Sequence, residues 1–95
     1  MSEKIIKQGN ANWYHGVGSK GGKLILTTKT IYFEGHSVNA GKKEMEIDLQ
    51  DIKEIKTSLL NNLIIITSNG KETFAVNGKN DWKQEIMNSV REIND

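Results

Sequence analysis

Leu63-Ile64-Ile65-Ile66-Thr67-Ser68-Asn69-Gly70-Lys71-Glu72-Thr73-Phe74-Ala75-Val76 sets two apolar runs around an Asn-Gly pair. Asn-Gly at the centre of a two-residue hairpin loop satisfies the positive φ angles of a type I′ turn. That turn pairs Ser68 with Lys71 and predicts Thr67 opposite Glu72, Ile66 opposite Thr73 and Ile65 opposite Phe74. Ile64 then faces Ala75, and Leu63 faces Val76. Leu63, Ile65, Phe74 and Val76 fall on one face, so the turn and the apolar alternation specify the same hairpin.

Upstream, Lys23–Thr27 and Thr30–Glu34 flank a short turn at Thr28-Lys29, with Leu24, Leu26, Ile31 and Phe33 pointing inward. Gly21-Gly22 is expected to separate this pair from an earlier strand around Asn12 to Val17. After a polar loop from Gly35 to Lys43, Met45, Ile47 and Leu49 alternate with Glu44, Glu46 and Asp48, a strand with one wet face. Ile52 and Ile55 break the two-residue period, which places a bulge or short turn near Gln50-Asp51. Lys53 to Leu60 reads as a further strand, with Asn61-Asn62 as its turn.

The tail changes period. Trp82, Ile86, Val90 and Ile93 recur at helical spacing and predict an amphipathic helix of about three turns. Asn80 or Asp81 is the expected N-cap, and Asp81 with Gln84 makes a capping box. A helix this short is marginal alone in water, so it must lie against the strands, with Trp82 as its anchor. The expectation is one domain over residues 1–95, mostly β, a barrel of about seven strands closed by a C-terminal α-helix.

Composition bounds the function. Twelve isoleucines against six leucines suit half-buried strands. The chain holds no cysteine, which excludes disulfides and thiolate metal sites and fits a reducing, cytoplasmic setting. The longest apolar run, Leu63 to Ile66, is four residues, against roughly 20 needed to span a bilayer. The net charge of +1 is unevenly spread. From Lys4 to Lys43 seven lysines stand against one acid, whereas Glu44 to Asp95 carries six basic and ten acidic residues. Either the surface is polarised or folding interleaves the two halves.

An ordered set of short stretches resembles the GRAM domains of the pleckstrin-homology (PH)-like superfamily, in their bacterial form. The stretches are Gly9-Asn10-Ala11-Asn12, Gly22-Lys23-Leu24-Ile25-Leu26-Thr27, Ile31-Tyr32-Phe33 and Ile47-Asp48-Leu49-Gln50-Asp51-Ile52, then Gly70 followed by Phe74 and Trp82. They cover about residues 9–90. The resemblance implies two near-orthogonal antiparallel sheets with the helix plugging one end of the barrel. It also implies a module that binds phosphoinositides, other lipids or proteins. Thr30 departs from the pattern, because a basic residue often follows the leucine-threonine turn in this family.

No motif for catalysis accompanies these features. His15 and His36 sit beside no recognisable nucleophile, and their spacing gives no metal-ligand pattern. Gly16-Val17-Gly18-Ser19-Lys20-Gly21-Gly22 lacks the spacing of a phosphate-binding loop and reads as a hairpin loop. The expectation is therefore a non-catalytic module without metal or cofactor.

Two surfaces are candidates for binding. On the PH-like fold the loops after strands one, three and six share the open end of the barrel, and here they bring Lys20, Lys23, Lys42, Lys43 and Lys71. Converged, they would hold anionic lipid head groups at about 1 kcal/mol per lysine. Arginine, which grips phosphate bidentately, is missing from that set. The second surface is Ile25, Tyr32, Ile64 and Ile66, on the faces opposite the inward residues. Exposed together they would dock a protein partner or a second copy of the chain; alternatively Met1 to Lys7 covers them. Trp13, Tyr14 and Tyr32 could stack bases, but six aromatic residues must also build the core, so a nucleic-acid partner is not expected. Protein binding leads. A cytoplasmic adaptor peripheral to an anionic membrane is the alternative.

Overall fold

The computed structural model describes residues 3–35 and 43–94. In chain order it contains β1 (Ile5–His15), β2 (Gly18–Thr27), β3 (Thr30–Gly35) and β4 (Lys43–Asp48), then a 3-10 turn at Leu49–Asp51. β5 (Ile52–Thr57), β6 (Asn62–Thr67), β7 (Gly70–Val76) and the helix α1 (Lys79–Asn94) follow. All pairings are antiparallel, in the order β4-β3-β2-β1-β7-β6-β5. Seven strands and one C-terminal helix are what the sequence predicts. The two expected sheets are halves of one hydrogen-bonded order. β1 joins them, pairing with β2 along its whole length and with β7 only from Ala11 to Tyr14.

β1 and β2 are longer than the sequence suggests, and the turn between them is Gly16-Val17, with Gly16 at φ +68°. Gly21-Gly22 therefore lies inside β2 rather than between strands. Gly22 is required there by proximity. A Cβ on it would meet the Glu34 carbonyl oxygen and stand 2.6 Å from Phe33 Cζ. The β2–β3 hairpin matches its predicted register, with Leu24 opposite Phe33 and Leu26 opposite Ile31. Its turn is tied by Thr27 Oγ1, which accepts from Lys29 N at 3.1 Å and from Thr30 N at 3.0 Å.

The β6–β7 hairpin has the expected faces but different partners. Its loop residues are Ser68 and Asn69, so Thr67 pairs with Gly70, Ile65 with Glu72 and Leu63 with Phe74. Thr67 Oγ1 accepts from Asn69 N at 3.1 Å, and positive φ falls on Gly70 alone, at +132°. A type I′ turn would need it at Asn69 as well. Both loops contain two residues, so the slide moves each residue by an even step and leaves every side chain on its predicted face. Leu63, Ile65, Phe74 and Val76 are all buried.

β5 ends at Thr57, three residues before the predicted limit. Ser58 N bonds to Asn62 O at 3.2 Å, and Lys79 Nζ donates to the carbonyls of Ser58 and, at 2.7 Å, Leu60. The helix starts earlier than predicted because Gly78, at φ +72°, turns the chain and accepts the first helical bond from Trp82 N at 3.0 Å. Asp81 thus sits in the first turn, favourably placed against the helix dipole, rather than at the cap. Gln84 Nε2 donates to Asn88 Oδ1 instead of closing a capping box.

One apolar cluster fills the interior, including Trp13, Leu24, Phe33, Leu49, Ile65, Phe74, Trp82 and Ile86. Trp82 packs beside Gly9, whose Cβ position would lie 3.7 Å from the indole, and Lys7 Nζ stands 5.2 Å above the ring. The helix also contacts β5, β6 and the 3-10 turn, covering the end where β4 and β5 do not pair. Replacing Gly22 with alanine forces backbone as well as side-chain movement. Such overpacking typically costs 1–3 kcal/mol, and a carbonyl clash places this site at about 3. Urea denaturation of Gly22→Ala checks this, with Gly18→Ala, where a Cβ meets nothing, as the control expected to lose far less.

Candidate functional site

Among the described residues, two of the four predicted lysines, Lys20 and Lys43, are ion-paired. Lys20, opposite Trp13 at the mouth of the barrel, donates to Glu44 Oε1 at 3.0 Å. Lys43 pairs with Glu46 at 2.9 Å and lies 4.6 Å above the ring of Tyr32. The hydrogen bond it donates to Glu46 holds the Lys43 ammonium above its ordinary pKa of 10.5, against a smaller opposing effect of desolvation. Lys23 stands on the outer face of β2 opposite Glu34, and Lys71 on β7 opposite Ile66. Lys42 and His36 lie outside the described residues. The mouth itself is mixed in charge, since Glu72 Oε1 accepts from the Trp13 indole at 2.9 Å. His15 stacks on Trp13 with centroids 4.5 Å apart.

The four apolar candidates fall into two separate pairs, Ile25 beside Tyr32 and Ile64 with Ile66 on β6. Ile25 is only 2% exposed, which corrects its place in an accessible patch. It sits on an interior strand, directly between Gln8 of β1 and Tyr32 of β3, and cross-strand neighbours at that spacing screen it. Tyr32, Ile64 and Ile66 are half-buried. Tyr32 belongs to β3 and the two isoleucines to β6, with β2, β1 and β7 between them in the sheet order.

A groove that the sequence reading missed runs between β5 and α1. It encloses about 350 Å³ and is lined by Ile52, Lys53, Glu54 and Ile55 from the strand and Lys83, Met87, Val90 and Arg91 from the helix. Ile55 is buried at its floor, and Met87 is 36% exposed. Lys83, Met87, Val90 and Arg91 recur at i, i+4, i+7 and i+8, the flank next to the inward stripe of Trp82 and Ile86. Among the described residues, Lys53, Lys83 and Arg91 carry no ion pair, while Glu54 approaches Lys56 at 4.0 Å. The groove is thus apolar at its floor and cationic at its rim. No described group of His, Asp and Glu could hold a metal ion, and no described helix is long and apolar enough to cross a membrane.

The model of the GRAM domain family matches residues 1–91. The chain belongs to the GRAM domain family. No curated protein matches it in sequence. Among solved structures, it superposes on the N-terminal PH domain of human ARAP2 with a TM-score of 0.78, at 15% identity, over 90% of this chain and 79% of that one. The Vps36 N-terminal PH domain gives 0.78 at 16% identity, over 96% and 81% of the two chains. The C-terminal PH domain of pleckstrin gives 0.77 at 19%, over 90% and 97%. Identities this low establish the PH-like fold and nothing about ligands. A GRAM domain on this fold is a non-catalytic binding module.

A signal for the β5–α1 groove does exist in the sequence. The helical tail carries a second stripe, displaced by one residue from the core stripe, that sets Met87 between Lys83 and Arg91 and borders Val90 of the core stripe. Met87, offset by one from Ile86, marks it. At the mouth of this GRAM domain, Glu72→Ala leaves the buried Trp13 indole N–H without its acceptor. Orphaning such a donor costs about 1–3 kcal/mol, so the urea midpoint is expected to fall accordingly, while Glu72→Gln, which keeps an acceptor oxygen, retains most of the stability.

Proposed function

We propose that this GRAM domain docks a partner protein, in preference to an anionic membrane or a second copy of itself. The observation that carries the proposal is the β5–α1 groove, an accessible apolar channel beside a strand that has no partner on its outer edge among the described residues. Several features argue against the membrane alternative. Two of the four described rim lysines, Lys20 and Lys43, are already neutralised by Glu44 and Glu46. At about 1 kcal/mol per cation, Lys23 and Lys71, the other two described rim lysines, hold a membrane weakly, and neither can grip phosphate bidentately. Homodimerisation through Ile25, Tyr32, Ile64 and Ile66 has little support once Ile25 is buried and the others are split between two strands.

Flotation with vesicles containing 30% phosphatidylserine, at 50 and 500 mM salt, separates the readings. The chain is expected to remain in the soluble fraction at both. Flotation at low salt that is lost at high salt and in Lys23→Glu/Lys71→Glu would establish the membrane reading instead. In parallel, affinity capture from the source cells is expected to yield a protein that rebinds the purified chain in a defined stoichiometry. Absence of any such reconstituted complex counts against the proposal.

A further inference from the structure

We infer that the β5–α1 groove takes an extended segment of the partner, which adds as a strand to the free edge of β5 and carries the pattern acid-x-aliphatic-x-acid. The inference deepens the protein-docking reading and rests on it. β5 ends the sheet order, so among the described residues alternate backbone N–H and C=O groups along its outer edge have no ladder partner. Edge groups of this kind accept an added strand through main-chain hydrogen bonds, and side-chain pockets then set the selectivity.

The helix flank supplies those pockets at a matching period. Lys83, Met87 and Arg91 are spaced four residues apart, a rise of about 6 Å per step along α1. Residues i, i+2 and i+4 of a strand lie on one face at about 6.7 Å per step. An extended segment running along the helix therefore presents three successive same-face side chains to cation, thioether and cation. Carboxylates at the outer two positions would meet Lys83 and Arg91. An aliphatic side chain between them would reach the floor formed by Ile52, Ile55, Met87 and Val90. Lys53 adds a third positive charge, and Glu54, the one acid in the lining, is turned to Lys56.

The same charges disfavour a second copy as occupant. Pairing β5 with β5 of another molecule would bring two sets of Lys53, Lys83 and Arg91 against one another without added carboxylates. An acidic partner segment relieves that repulsion.

A random dodecapeptide display library selected on the full chain tests the inference. Selected sequences are expected to enrich Asp or Glu at i and i+4 around Val, Ile or Leu at i+2. A synthetic peptide of the selected sequence should lose at least tenfold in affinity on Lys83→Glu/Arg91→Glu, measured by fluorescence anisotropy. It should lose as much on Met87→Glu, and again when alternate peptide amides are N-methylated, which removes strand pairing without touching side chains. Circular dichroism confirms that the variants fold, their substitutions being on the outer flank of α1. No enrichment, peptides without acids, indifference to Lys83→Glu/Arg91→Glu, or binding that survives N-methylation at every position each overturn the inference. A reconstituted partner complex that ignores Met87→Glu also overturns it, while leaving protein docking intact.

Discussion

The four-residue ladder between Ala11–Tyr14 of β1 and Thr73–Val76 of β7 is, among the described residues, the one strand pairing that joins the β2–β4 half of the molecule to the β5–β7 half. Everything packed inside depends on it. Trp13 sits in that ladder with its indole turned inward, its ring centroid 5.7 Å from that of Phe33, and Phe33 is in turn 6.2 Å from Phe74. Burying an aromatic side chain of this size contributes roughly 4–6 kcal/mol by apolar area, most of what a small domain retains as net stability. The polar edge of the indole would offset part of that gain if it were left dry, and Glu72 removes the penalty. Gly22, the β2 partner of Ala11, stands beside the junction because a larger side chain has no room where β2 and β3 approach.

Because β4 and β5 do not pair, the barrel has an open seam, and α1 exists to cover it. Trp82 and Ile86 provide the inward stripe, and Gly9 gives the Trp82 ring a flat seat on β1. The cover is incomplete in one respect. A helix lying over the end of a strand can bury that strand's inner face but cannot supply ladder bonds to its edge. The groove between β5 and the outer flank of α1 follows from this geometry. A short, bulged, charged strand is a poor template for indiscriminate pairing, and β5 has all three traits, with Lys53, Glu54 and Lys56 on it and a register shift between Ile52 and Glu54.

Much of this architecture was legible in the residues, and the errors have physical causes. Alternation decided which face of each strand is dry, and that survived even where partners were wrong, as in β6–β7. The Asn69-Gly70 pair overstated its turn type because Thr67, immediately before the loop, competes through its hydroxyl for the Asn69 amide. Gly21-Gly22 reads as punctuation because sequence does not distinguish a glycine that turns the chain from one that admits a neighbouring strand. The helix start was hidden for a related reason. Gly78 ends β7 and begins α1 through its backbone, with no capping side chain to advertise it. Ile25 is buried despite its outward register because strand alternation assigns a side chain to a face without specifying how its neighbours cover it.

The charge asymmetry along the chain resolves by interleaving at the open end. Lys20 comes from the basic half and Glu44 from the acidic half, and folding brings them to 3.0 Å. Exposed pairs of this kind contribute at most about 1 kcal/mol each, so their importance lies in what they cancel rather than in stability. They quench the field of the region where the sequence concentrates lysine. The three cations of the β5–α1 groove come from the half of the chain with net negative charge, where none of them stands out by local count. A surface potential is set by which charges remain unpaired after folding. By that criterion the seam covered by the helix, with Lys53, Lys83 and Arg91 outside the ion pairs of the described residues, carries positive charge that local counting along the sequence does not reveal.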